Sequence, residues 1–232
     1  MWISRAPTSL FVMSTDLPDS PRTHITRLGD RQVFDRDALN EILDAATIAH
    51  VGFVREREPI VLPVGIGRDG DTLLIHGSTG SPFFRDMSDG RPLAITVTHL
   101  DGLVYARSGY DSSMNYRSAM IRGCASIVDT SDKVDALHII TEHLMPGRTS
   151  ELRPHKSKEL AATLVLRVPL DEVSVKINNK MPDEEVDDGD PRTIWAGVLP
   201  LRVVAGEPLT SELTPASTPV ASSVLAFQQK LS

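Results

Sequence analysis

Apolar positions change period along this chain. Leu39, Ile42, Leu43 and Ala46 recur at the i, i+3, i+4, i+7 spacing of an amphipathic helix, and Asp35 stands where an N-cap belongs. From His50 the pattern shifts to short apolar, β-rich runs at 50–55, 59–67 and 72–76. Arg68-Asp69-Gly70-Asp71 joins the last two and carries a hairpin signal, because Gly tolerates positive φ. Residues 81–88 read as a short helix. Runs at 93–99 and 103–108 flank Asp101-Gly102 and predict a second hairpin. Residues 117–128 predict a strand long enough to bend, with Gly123 at a bulge. Ser131 caps a second clear helix, which faces Val134, Leu137, Ile140 and Leu144 inward and ends at Pro146-Gly147. A short helix at 156–162, strands at 163–170 and 173–177, and one more strand within 194–204 complete the pattern.

About seven short strands and two good helices, with hairpins between neighbours, favour an antiparallel barrel with peripheral helices over a βαβ fold. The chain divides into three parts. Residues 1–30, rich in Pro, Ser, Asp and Arg, form an aperiodic, flexible arm; 31–205 form the folded domain; 206–232 form a loose Pro/Ser/Thr-rich tail, in which 224–227 could dock.

Composition narrows the function. A net charge of −7 argues against broad nucleic-acid binding, which needs a basic surface. The single cysteine, Cys124, excludes an intrachain disulfide framework and any thiolate-rich metal site; a packed thiol and a reducing cytoplasm are the expectation. No run approaches the ~18 apolar residues of a membrane span. The first residues make a poor signal peptide, and Met13 is an alternative start. A P-loop, GxSxG and HExxH are missing from the sequence. The acidic run at 183–190 has the charge of a calcium loop without its spacing, so a solvated loop is expected. His138 and His143 are five apart and point to different faces of their helix, which argues against a shared metal.

Two segments carry chemistry. In the first, a strand ending at His76 runs through Gly77, Ser78, Thr79 and Gly80 to Ser81, an N-cap candidate before Pro82. Small residues, hydroxyls, free N–H groups and Arg85 suit a phosphate; a well-capped turn explains the same residues. In the second, residues 103–118 hold Tyr105, Tyr110, Asn115, Tyr116 and Arg117 in and beside a loop. Such residues hold a heteroaromatic ring or line a dimer interface equally well.

His76-Gly77-Ser78 with Ser81, then Ile95-Thr96-Val97-Thr98-x-Leu100-Asp101-Gly102-Leu103-Val104-x-Ala106-Arg107-Ser108, then Ser113-Met114-Asn115-Tyr116-Arg117-Ser118 resemble the pyridoxamine 5′-phosphate oxidase-related flavin-binding split-barrel proteins. The branch that holds the nitroimidazole-resistance proteins is the most similar, and Pro146-Gly147-Arg148 and Trp195-Ala196-Gly197-Val198 also fit it. The resemblance spans roughly residues 31–204. It implies a mainly β chain with peripheral helices: a six-stranded antiparallel split β-barrel of Greek-key type, paired as a homodimer with FMN in clefts at the interface. By matching position, His76, Gly77, Ser78, Ser81 and Arg85 meet the phosphate and ribityl chain, and Thr96 lines the same cleft. Tyr116, Arg117 and Ser118 lie by the isoalloxazine ring, with Trp195 supplied by the partner subunit. His76 is a proton donor or cofactor contact, or a strand-end histidine satisfied by backbone.

The chain departs from the oxidases where they carry an Arg-Lys pair after the serine matched by Ser81; here it is Pro82-Phe83. Their C-terminal Arg and His pattern is also missing, so pyridoxamine phosphate oxidation is not expected. The expectation is a flavin-dependent oxidoreductase acting on a small molecule. Its rivals are a non-catalytic module for a flavin, deazaflavin F420 or haem, the last with His76 or His99 as axial ligand, and a cofactor-free dimer with Phe83 and Phe84 filling the cleft.

Overall fold

The computed structural model describes residues 16–183 and 192–231. Ten strands run β1 Gln32–Val33, β2 Ile48–Arg55, β3 Glu58–Asp69, β4 Thr72–Ser78, β5 Pro92–Tyr105, β6 Ser113–Cys124, β7 Ser126–Ile127, β8 Thr163–Pro169, β9 Glu172–Asn178 and β10 Gly197–Pro200. Five helices accompany them: α1 Arg36–Asp44, α2 Pro82–Met87, α3 Lys133–Leu144, α4 Ser157–Ala162 and α5 Ser222–Lys230. All strand pairings are antiparallel, in the order β1-β9-β6-β5-β2-β3-β4-β8-β7, with β10 added beside β5.

The alternation of side chains in β5 shows why the sheet folds around one core. Leu93, Ile95 and Val97 are buried, while Thr96 and Thr98, on the alternate positions, are exposed. Val51 and Phe53 of β2 and Ala119 and Ile121 of β6 join the same core, which α1 covers with Leu39, Ile42 and Leu43. Asp35 caps α1 as its position predicts, accepting from the Asp37 N–H at 3.1 Å. A second cluster lies on the other side of β4 and β8. There Leu74 and Val165 meet Ala136, Leu137 and Ile140 of α3.

Several local expectations are corrected. Residues 93–108 do not form a hairpin. They belong largely to the single strand β5, and Asp101 is the extra residue of a bulge between the pairs Leu100–Tyr116 and Gly102–Asn115. Pairing with β6 continues on both sides of the bulge, so the turn signal marks a kink rather than a reversal. Gly123, expected at a bulge, sits in regular register opposite Leu93. The cap of α3 is Asp132, whose carboxylate accepts from the Ser131 hydroxyl at 2.9 Å. Cys124, expected to be packed, is exposed where β6 ends.

The ends are fastened by particular groups. Leu17 is buried against the core, and its N–H donates to the Phe34 carbonyl at 2.6 Å. Most of the acidic run and the Met13 start lie outside the described residues. At the other end, α5 hangs on Glu151, which accepts from the Ser223 hydroxyl at 2.6 Å, the Ser222 hydroxyl at 2.8 Å and the Ser223 N–H at 3.0 Å. Those bonds, with Arg148 beside it, hold the Glu151 carboxyl down at about 2. A carboxylate whose pKa falls on folding stabilises the folded form above its unfolded value and loses that contribution as pH drops through the folded one. Hydrogen exchange of the α5 amides should therefore quicken as pH falls from about 4.5 to about 2, after correction for intrinsic rates. Glu151→Gln should speed α5 exchange at neutral pH and blunt this pH dependence.

Candidate functional site

β4 delivers the first group of residues. Its odd positions face the main core, and its even positions face α3. His76 and Ser78 thus share the face of Leu74, while Gly77 faces the core. A Cβ on Gly77 would overlap the Phe84 ring, so glycine there lets α2 pack back onto the strand it follows. Phe83 is buried beside Phe53, with ring centroids 5.0 Å apart. Phe83 is thus committed to the core rather than to a cleft. Arg55 pairs with Asp86, which ties α2 to the end of β2.

The loop amides differ from the expectation of free donors. Thr79 N–H donates to the Ala162 carbonyl at 2.9 Å, Gly80 N–H to the Ser78 hydroxyl at 3.1 Å, and Ser81 N–H to the Ser78 carbonyl at 3.0 Å. Ser81 caps α2 by position without a side-chain bond. What remains available is the Ser81 hydroxyl and the guanidinium of Arg85, which is exposed and has no side-chain partner among the described residues. The His76 ring likewise has no hydrogen-bond partner there. The residue reaches solvent, yet enough protein surrounds the imidazole that desolvation lowers its pKa below the usual value. The neutral ring is favoured, free to accept or donate.

The second group lies along β5 and β6. Thr96 is on the outward face opposite His50 and Met120, and Thr98 opposite Ser118. Ser118 donates to the Lys176 carbonyl at 3.3 Å, and Tyr116 stands opposite Leu100. Arg117 points the other way and makes two 2.9 Å bonds to Asp101, the bulge residue. Trp195 leans on Tyr105 at 5.9 Å between centroids and is 66% exposed. Phe83 packs on Phe53 at the Leu93 end of β5, whereas Trp195 leans on Tyr105 at the other end of that strand, beyond the Asp101 bulge. One chain therefore brings together His76, Gly77, Ser78, Ser81 and Arg85, and separately Tyr116, Arg117 and Ser118; it does not bring Trp195 to the loop. Between the two groups the outward face exposes Ile48, Val54, Val61 and Leu100.

A cleft of about 350 Å³ opens beside α3, and sequence reasoning missed it. Val134, Leu152 and Leu160 form apolar walls, and His138, His155 and Arg153 supply polar groups. The two imidazoles stack with centroids 5.7 Å apart. No local spacing announces this pair, because His155 arrives through the turn that follows α3. His143, the partner weighed from spacing, bonds the Ala46 carbonyl at 2.6 Å instead. Among the described residues no cluster of three or more His, Cys, Asp or Glu side chains could hold a metal ion, and no helix is long and apolar enough to cross a membrane. The string Gly65-Ile66-Gly67-Arg68-Asp69-Gly70 has the spacing of a dinucleotide fingerprint, but it runs along β3 into the hairpin with β4 and opens no helix.

Comparison with known proteins bears on both groups. No curated protein matches the chain. Among solved structures, the FAD and haem binding protein from Mycobacterium smegmatis is 43% identical, with a TM-score of 0.81 over 84% of this chain and 96% of that one. The flavocytochrome Anf3 from Azotobacter vinelandii is 33% identical, with a TM-score of 0.83 over 89% and 96%. A candidate 5-nitroimidazole antibiotic resistance protein from Bacteroides thetaiotaomicron is 26% identical, with a TM-score of 0.54 over 63% and 86%. The family profile described as pyridoxamine 5′-phosphate oxidase matches residues 35–177, which include β2 to β6 and the whole 76–85 loop. The chain belongs to the pyridoxamine 5′-phosphate oxidase family.

Proposed function

We propose that this chain is a flavin-dependent oxidoreductase for a small molecule. It would hold FMN, or the FMN half of a larger flavin, at the interface of a homodimer of six-stranded split barrels. The observation that carries the reading is the exposed Arg85 guanidinium beside the His76–Ser81 loop, without a side-chain partner among the described residues, in a chain whose 43%-identical relative is described as binding FAD and haem. Arg85 and the Ser81 hydroxyl are the groups that fit a phosphate. They replace a clamp that the oxidases build from two further cations, because Pro82 and Phe83 have no charge and Phe83 is buried.

In this reading Thr96 and Ser118 meet the ring system, with Tyr116 at the edge of the same face. Trp195 of one protomer reaches the partner's cleft, which accounts for its distance from its own loop. The apolar outward face then becomes the interface. Arg117, spent on Asp101, fixes the bulge beside the site rather than meeting the phosphate. A flavin supplies the electron transfer itself; the protein binds and orients it. A neutral His76 stands ready to give or take a hydrogen bond near the ring. The exposed Cys124 thiol suits a reducing cytoplasm.

The test is titration of the purified chain with FMN, FAD and F420, followed by light scattering. One flavin per chain and a dimer mass are expected. Val61→Asp puts a charge on the outward face and should give a monomer that binds flavin at least about tenfold more weakly, since a desolvated charge costs several kcal/mol. A V61D monomer with undiminished affinity would remove the interface from the reading.

A second reading adds a haem. It is favoured by the relatives described as an FAD and haem binding protein and a flavocytochrome, and by the free His76 ring in its neutral, ligating form. His99 is the poorer axial ligand, because its Nε2 is 2.9 Å from the Ile42 carbonyl oxygen and bonded to it. A Soret band after addition of hemin, lost in His76→Ala, is its signature.

A further inference from the structure

The cleft beside α3 adjoins the loop. Leu160 of its wall belongs to α4, and the last residue of α4, Ala162, accepts both the Thr79 N–H at 2.9 Å and the Thr79 hydroxyl at 3.3 Å. Ser78 then pairs with Thr163, and His76 with Val165. Val165 faces α3 in the second core cluster, and His76 and Ser78 share that side of the sheet. The cleft and the 76–81 loop are therefore neighbouring parts of one surface.

The chemistry of the cleft is selective. Thr141 donates its hydroxyl to the Leu137 carbonyl at 2.8 Å, and Thr149 donates its own to Glu142. Arg153 is held by Glu159 at 3.0 and 2.6 Å. The polar atoms left uncommitted are the ring nitrogens of His138 and His155, each able to donate or accept according to tautomer. Glu142 also holds the turn after α3, accepting from the Gly147 N–H at 2.6 Å and the Thr149 N–H at 2.8 Å, so the far wall is braced. A cleft near the small end of the ~300–1,000 Å³ of ligand sites, with apolar walls and two stacked rings, suits a flat base. Such a base stacks on its faces and offers donors and acceptors at its edge. A bare metal ion would need a third ligand that the described residues do not supply.

We propose that this cleft seats the adenine of flavin adenine dinucleotide against the stacked His138–His155 pair, with the pyrophosphate crossing to the 76–81 loop and Arg85. The inference rests on the flavin reading above and extends it: the physiological cofactor is the dinucleotide, and FMN occupies only half of the surface built for it. It also supplies what the missing Arg-Lys pair takes away, because base stacking replaces phosphate charge as a source of affinity.

The experiment is parallel fluorescence titration of the full-length apo-protein with FMN and FAD. Wild type should bind FAD about ten- to a hundredfold tighter than FMN, the range that loss of one stacked base produces. His155→Ala and His138→Ala should each bring FAD affinity toward that of FMN and leave FMN affinity unchanged. His155→Phe, which keeps a ring, should restore most of the difference, and unaltered circular dichroism shows that the variants fold. Equal affinity for FMN and FAD in wild type overturns the adenine seat and leaves the flavin reading intact. Variants that weaken FMN as much as FAD overturn it too. Failure to bind either flavin overturns both.

Discussion

Arg85→Ala should weaken flavin binding about 10- to 100-fold, while Arg117→Ala should leave it within about threefold of wild type. The contrast comes from what each guanidinium already does. Arg117 makes two bonds to Asp101. Turning it toward a phosphate would leave that carboxylate half-buried without its partner. Arg85 is the fourth residue of α2 and has no competing carboxylate among the described residues. A hydrogen bond to a charged group contributes about 1.5–3 kcal/mol, which at about 1.4 kcal/mol per factor of ten gives the expected range. The oxidases spread this work over several cations, so here a larger share falls on one side chain. The effect should shrink as salt rises, because Arg85 is exposed and its field is screened. Fluorescence titration at two ionic strengths reads both features. If Arg85→Ala binds flavin as wild type does, the phosphate lies elsewhere and the loop is only a capped turn. If Arg117→Ala is the damaging change, the Asp101 pair opens on binding.

What the sequence reveals and what it hides follow from the range of the interactions involved. The helix over Leu39, Ile42 and Leu43 and its Asp35 cap are local patterns, and both are present. The β3–β4 hairpin at Gly70 is equally local. The family, too, could be read from the order of short motifs, since the profile covers residues 35–177. The Asp101-Gly102 signal misleads because a turn and a bulge ask for the same residues. Only pairing with β6 on both sides decides between them, and that pairing is a long-range property. Gly102 itself is required by the approach of β10, where a Cβ would stand 3.1 Å from the Leu199 carbonyl oxygen. In the site, His76, Gly77, Ser78, Ser81 and Arg85 are contiguous and so were legible as a group. The commitments of their neighbours were not. The loop amides go to Ala162 and Ser78, and Arg117 goes to Asp101, through contacts that no spacing encodes. The His138–His155 stack is hidden for the same reason: helix spacing pairs His138 with its own helix, whereas the turn after α3 pairs it with a residue beyond.

Gly67→Ala should lower the melting temperature by several degrees and loosen the wall of the cleft with it. Gly67 lies on β3 beneath α3, and a Cβ there would stand 2.8 Å from the Ile140 Cα and 3.1 Å from the Ile140 nitrogen and Cγ1. Two of those atoms are backbone, so no rotamer change relieves the clash; the helix must lift. Ile140 is buried in the second cluster with Leu74 and Val165, and lifting α3 opens that packing. Overpacking of this kind costs about 1–3 kcal/mol, or roughly 2–12 °C for a domain of this size. Gly77→Ala is the informative comparison, because the atoms it meets all belong to the ring of Phe84, a side chain only partly buried at the edge of the core, rather than to backbone. Its thermal cost should be the smaller of the two, yet α2 and Arg85 move with Phe84, so it should weaken FMN and FAD alike. Gly67→Ala shifts α3, which carries His138, and should weaken FAD more than FMN. Thermal melts of both variants, paired with the two titrations, separate the two seats physically: one glycine holds the base end of the surface in place and the other the phosphate end. A Gly67→Ala protein with unchanged melting temperature would show that α3 is held to β3 less tightly than a 2.8 Å approach demands, and the cleft would lose its claim to a fixed wall.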